Sequence, residues 1–140
     1  MRQAPVLVSG SPVPRVLIID DEPSIRFALR RWFERQGWVV GEANEGAAAL
    51  NLLAVARSTE TPQYDVIISD LRMPGVSGDQ LHARLSAEYP ELLSRLVFTS
   101  GDNVTSPPID SVLFAHPNVL QKPFEFDTLR ALVESIAGPM

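Results

Sequence analysis

Five short apolar runs, separated by stretches whose apolar residues recur every three or four positions, constrain this chain more than any other feature. The runs are Val16 to Ile19, Trp38 to Ala43, Val66 to Asp70, Arg95 to Thr99 and Val119 to Gln121. Short β-branched runs bounded by turn signals read as strands buried on both faces. The first intervening helix opens at Pro23 and stops at Gly37, with Ile25, Leu29, Trp32, Phe33 and Gln36 on its inner stripe. A second helix is predicted from Glu45 to Arg57, with Leu50, Leu53 and Ala54 inward, and a third from Gly78 to Glu88 with Leu81 and Leu85. Pro107-Pro108 leaves room only for a short fourth helix, Ile109 to Ala115. The last, Glu125 to Ala137, is expected to bury Phe126, Leu129, Leu132, Val133 and Ile136. Helical crossovers return the chain in the same direction, so five strands alternating with five helices predict a doubly wound α/β fold on a five-stranded parallel sheet.

The 140 residues suit one globular domain with a full core. A net charge of -5 argues against a nucleic-acid surface, which depends on clustered Lys and Arg. Without cysteine the chain has neither a disulfide framework nor a thiolate metal site. The apolar runs are too short to cross a bilayer, and the first residues lack a signal-peptide core, so no membrane association and a cytoplasmic location are expected. Three prolines and Ser-Gly-Ser make residues 1–14 read as a flexible arm or linker, followed by the folded domain, 15–137.

In a doubly wound sheet the carboxyl ends of the strands open on one side, and ligands bind there. The residues at those ends are Asp20-Asp21, Asp70, Thr99 and Lys122. Three carboxylates about 4 Å apart, at an effective dielectric near 20, repel by on the order of 4 kcal/mol per pair. A hard divalent cation with oxygen ligands, Mg²⁺, offsets that repulsion, and Lys122 adds positive charge. Such a cation with a lysine and a hydroxyl around one carboxylate suits phosphoryl transfer, with Asp70 as the nucleophile. In the absence of metal, Asp20→Asn is expected to raise the melting temperature.

VLIIDDEP, YDVIISDLRMPGVSG, LVFTSG and VLQKPF together resemble the receiver domain of bacterial two-component response regulators, from Arg15 to about Ala137. The resemblance implies a flavodoxin-like receiver fold. It makes Asp70 the phosphoacceptor, Asp21 a direct Mg²⁺ ligand and Asp20 an outer carboxylate, with the main-chain carbonyl of Arg72 completing the metal site. Thr99 and Lys122 would engage phosphoryl oxygens, and the bond before Pro123 would be cis. Partners implied are a histidine kinase or a histidine phosphotransfer protein and an unknown downstream protein. Such a domain is not a turnover enzyme; at most it catalyses its own aspartate phosphorylation and dephosphorylation. The chain then reads as a stand-alone receiver or as one from a larger protein such as a hybrid histidine kinase. One departure stands out: the family usually carries Tyr or Phe where this chain has Val119, so the usual coupling between the threonine and an aromatic ring is missing.

Each residue also has a plainer role. Asp20 and Asp21 are suited to capping the first helix. Arg26, Arg30, Arg31 and Arg35 read as a solvated face, although the resemblance also offers the first helix as a docking site for the phosphodonor. His82 and His116 lack metal-ligand spacing. Two other functions compete: a Mg²⁺-dependent phosphohydrolase that uses an aspartyl phosphate, and a binding module insensitive to phosphorylation. Against the first, haloacid-dehalogenase-like phosphatases separate their two strand-end acids by one residue, whereas Asp20 and Asp21 are adjacent.

Overall fold

The computed structural model describes residues 13–71, 75–101 and 118–140. The expected helix Ile109 to Ala115, Pro107-Pro108, His116, Arg72 and all but the last two residues of the arm lie outside them. The strands are β1 (Arg15–Ile19), β2 (Val39–Ala43), β3 (Val66–Asp70), β4 (Leu96–Ser100) and β5 (Val119–Gln121). The α-helices are α1 (Pro23–Arg35), α2 (Gly46–Ser58), α3 (Gly78–Glu88) and α4 (Phe126–Ala137).

The strands form one parallel sheet in the order β2-β1-β3-β4-β5. This is the flavodoxin-like form of the doubly wound sheet, whose strand order reverses between β1 and β3. The crevice outside the carboxyl ends of those two strands is thus where the fold favours a ligand.

Period-two alternation divides β1 between two cores. Leu17 and Ile19 pack with Ala49, Leu53, Leu81, Leu85 and Phe98 on the α2 and α3 side. Val16 and Ile18 pack with Leu29, Phe33, Val97, Leu129 and Val133 on the α1 and α4 side. Each fully buried aliphatic side chain stabilises the fold by about 1.5–3 kcal/mol, so a strand buried on both faces anchors both helical layers. Gly37, at φ +90°, takes the left-handed turn after α1 and lets Trp38 fold back edge-on to Phe33, ring centroids 5.2 Å apart.

Four details depart from the sequence reading. Pro90–Arg95 forms a 3-10 helix where direct passage into a strand at Arg95 was expected, and β4 starts at Leu96. Pro90 presets the first turn of that helix, and Leu92 is completely buried in the α2 and α3 core. Trp38 precedes β2, which starts at Val39. On α2 the buried positions are Ala49, Leu53 and Ala56, while Ala54 is exposed; one residue beyond Leu53 is about 100° around the helix. Phe126 is 38% exposed at the first turn of α4, its ring stacked on Trp32 at 5.3 Å. It covers a second aromatic layer and stays out of the core.

Candidate functional site

The end of β1 delivers the first acids. Asp20 extends the ladder by donating its N–H to the Ala43 carbonyl at 3.1 Å. Its carboxylate Oδ1 accepts the Glu22 N–H at 2.9 Å, a turn by which an aspartate steers its own chain out of a strand. Asp20 is 2% exposed, whereas Asp21 faces solvent. The residue at the N-cap of α1 is Glu22, and its side chain makes no capping bond. Capping in the strict sense therefore does not account for the adjacent acids.

Asp70 is the last residue of β3 and Thr99 the penultimate residue of β4; the two are direct partners in the parallel register. Neighbouring strands run about 4.8 Å apart, so the register alone brings hydroxyl and carboxylate side by side. Asp70 is 8% exposed and Thr99 1%. The Leu71 N–H donates to the Thr99 carbonyl at 2.9 Å, fixing the chain as it leaves β3.

Lys122 follows β5. Its N–H donates to the Ser100 carbonyl at 2.7 Å, and its peptide bond to Pro123 is cis, as the family resemblance implied. The ammonium donates to Asp20 Oδ2 at 3.0 Å and stands 3.6 Å from Asp70 Oδ2. Burial alone would lower its pKa. The hydrogen bond to Asp20 and the charges of Asp70, Asp20 and Glu22 outweigh that burial and raise it above the ordinary lysine value.

One carboxylate oxygen from each of Asp20, Asp21 and Asp70 lies within 4.8 Å of the others. A donor set of oxygens alone, without Cys or His, suits a hard cation such as Mg²⁺ better than zinc or copper. The residues therefore fit the metal that the sequence suggested. Five of the six predicted site residues, Asp20, Asp21, Asp70, Thr99 and Lys122, come together at one edge of the sheet; the sixth, Arg72, lies outside the described residues. His82 belongs to no metal-competent cluster among the described residues and stacks on Phe98 at 6.3 Å. Val119 is half-buried against the α2 and α3 core, opposite Phe98 in the ladder.

Sequence reasoning missed Arg26. Far from being merely solvated, its guanidinium donates to the Asp20 carbonyl at 2.6 Å and faces Glu42 at 3.5 Å. The contact to Glu42 depends on the pairing of β2 with β1, which local residue patterns do not encode. Beside Lys122, α1 and the segment leading to α4 enclose an apolar groove of about 470 Å³, lined by Ile25, Ala28, Leu29, Pro123, Phe124 and Phe126 among others.

A flavodoxin-like sheet with three carboxylates, a hydroxyl and an ammonium gathered at its switch point defines a class of α/β domains built around one acidic pocket. The chain belongs to the response regulator receiver domain family, whose model matches residues 16–134. It is 32% identical over 123 residues to the DNA-binding transcriptional regulator NtrC of Escherichia coli strain K12, covering 85% of this chain and 24% of that protein. The chain thus spans about a quarter of the length of such relatives. Among solved structures, a response regulator receiver domain protein from Clostridium thermocellum superposes with a TM-score of 0.73 at 21% identity, covering 89% of this chain and 94% of that one. The response regulator TrrA of Thermotoga maritima, solved in complex with Mg²⁺-BeF, superposes with a TM-score of 0.67 at 25% identity, covering 89% and 99%.

Proposed function

We propose that the chain is a phosphorylation-dependent signalling switch in which Asp70 accepts a phosphoryl group from a histidine of a kinase or phosphotransfer protein, in a Mg²⁺-dependent reaction that alters binding to a downstream partner. The observation that carries this reading is the Lys122 ammonium, 3.0 Å from Asp20 and 3.6 Å from Asp70, beside three carboxylates within 4.8 Å of one another. In the proposed step an Asp70 carboxylate oxygen attacks phosphorus, and the P–N bond of the donor breaks with its electron pair returning to the imidazole. Asp21 and Asp70, with the Arg72 carbonyl, would hold the cation, and Asp20 would serve as its outer carboxylate. When bound, Mg²⁺ neutralises charge on the phosphoryl oxygens. Lys122 offers its ammonium to one such oxygen, and the Thr99 hydroxyl donates to another once Asp70 is modified. The proposed docking face for the phosphodonor is α1, as the resemblance suggests.

Residues 15–137 form the proposed receiver domain, with 1–14 as arm or linker. The reading places the chain in the cytoplasm, as a phosphoacceptor and not a turnover enzyme; no helix among the described residues is long and apolar enough to cross a membrane. Incubation with Mg²⁺ and a small phosphodonor such as acetyl phosphate tests the function. One phosphoryl group per chain, lost with Asp70→Asn or with chelator, is the expected result. Sustained release of phosphate from unrelated phosphomonoesters would instead make the chain a phosphohydrolase, and partner binding indifferent to phosphorylation would make it a binding module.

A further inference from the structure

Asp20 is held at four points, and one of them reaches back to the strand end from α1. Its N–H, Oδ1 and Oδ2 engage the Ala43 carbonyl, the Glu22 N–H and Lys122. Its main-chain carbonyl accepts from Arg26 Nη1 at 2.6 Å. The Arg26 side chain is 19% exposed, and its Nε lies 3.5 Å from Glu42 Oε1. The other oxygen of Glu42 accepts from Arg30 Nη1 at 2.9 Å. Glu42 stands on β2 opposite Ile18 of β1. A relay from the Asp20 carbonyl through Arg26 and Glu42 to Arg30 therefore ties the end of β1 to both α1 and β2.

The Asp20 carbonyl and the Asp21 N–H share one planar peptide, so whatever fixes the carbonyl fixes the direction in which Asp21 leaves the strand. Asp21 is exposed, and among the described residues no hydrogen bond holds its carboxylate. Its aim depends on the backbone behind it.

We propose that Arg26 is a positioning residue for the divalent-cation site, holding the peptide that aims Asp21 while Glu42 holds Arg26. The proposal rests on reading Asp20, Asp21 and Asp70 as that site. Charge and position predict opposite signs. Were Arg26 only a nearby cation, its neutralisation would strengthen Mg²⁺ binding by removing repulsion. As a positioning group, its loss weakens binding.

Calorimetric titration of the metal-free protein with MgCl₂ separates the two, with metal-free melting followed in parallel. Arg26→Gln is expected to weaken Mg²⁺ binding about tenfold, the low end for loss of an outer-shell partner. Glu42→Gln is expected to weaken it less, and Arg26→Lys to restore part of the affinity by supplying one donor in place of a fork. Wild-type or tighter affinity in Arg26→Gln, with binding abolished in Asp21→Ala, would overturn the positioning role and leave the metal site standing. Failure of the wild type to bind, or undiminished binding in Asp21→Ala, would overturn the metal site and the proposal with it. If Arg26→Gln shows no cooperative melting, Arg26→Lys decides, because it keeps the charge: Mg²⁺ binding weaker than wild type supports the positioning role, and wild-type affinity overturns it.

Discussion

At the scale of single residues, the pocket balances charges that its own side chains only partly neutralise. Lys122 is the internal counter-ion, and its raised pKa fixes the sign of its contribution. A lysine whose folded pKa exceeds its unfolded value of about 10.4 contributes stability fully below that value and loses it as pH rises through the folded pKa. The stability difference between wild type and Lys122→Met, about 1–3 kcal/mol because Asp20 is left buried without its partner, should stay constant from about pH 6 to pH 9 and shrink above about 10.4. Denaturant melts at several pH values measure it. Asp20→Asn is not the substitution that relieves repulsion, because Asp20 is paired with Lys122 and with the Glu22 N–H. Among the described residues, Asp21 is the pocket acid whose carboxylate takes no hydrogen bond or ion pair. In metal-free buffer Asp21→Asn should raise the melting temperature by a few degrees, on the order of 1 kcal/mol, and saturating Mg²⁺ should reverse the order by stabilising the wild type alone. Differential scanning calorimetry with and without MgCl₂ gives both results. The acids, Thr99 and Lys122 were legible in the sequence because each sits at the end of an apolar run. Arg26 was not, because its role depends on a main-chain carbonyl and on a glutamate of a different strand.

Among the elements, the start of α3 packs closely on the residue that follows Asp70. A Cβ on Gly78 would come within 2.9 Å of the Leu71 Cα and carbonyl oxygen, backbone atoms that cannot swing aside. The Gly78 N–H also donates to the Leu71 carbonyl at 2.9 Å. Gly78→Ala should therefore cost about 1–3 kcal/mol and, by displacing the residue that follows Asp70, slow phosphorylation; urea melts and initial rates with a small phosphodonor check the two effects. On the other face Phe33 is completely buried, edge-on to both Trp32 and Trp38. Its replacement by alanine should cost about 3–5 kcal/mol without altering Mg²⁺ affinity in the folded fraction. Strands and helices were legible wherever period or punctuation was strong, as in Val66 to Asp70 or Gly78 to Glu88. The 3-10 helix at Pro90 was not, because six residues with two leucines carry no usable period. Phe126 misled because an aromatic on an apolar stripe implies core packing, whereas Trp32 offers it an outer platform.

On the scale of the whole molecule, topology performs the assembly. Residues separated by as many as 102 positions meet because β1, β3, β4 and β5 are parallel and in register, so their carboxyl ends share one edge. The alternation of runs and helical stretches made the doubly wound sheet readable, and right-handed crossovers carried that reading to a shared crevice. Strand order was not encoded locally; it follows from which faces of the sheet the helices cover. On the proposed reading, Val119 supplies no aromatic ring, so this chain does without the coupling of Thr99 to such a ring or recruits another group for it. The central claim is that the carboxylate of Asp70 is the one that takes the phosphoryl group. The most direct measurement is borohydride reduction of the phosphorylated protein followed by peptide sequencing in the mass spectrometer. Conversion of Asp70 alone to homoserine is the predicted result; reduction at Asp20, Asp21 or any other residue would contradict it.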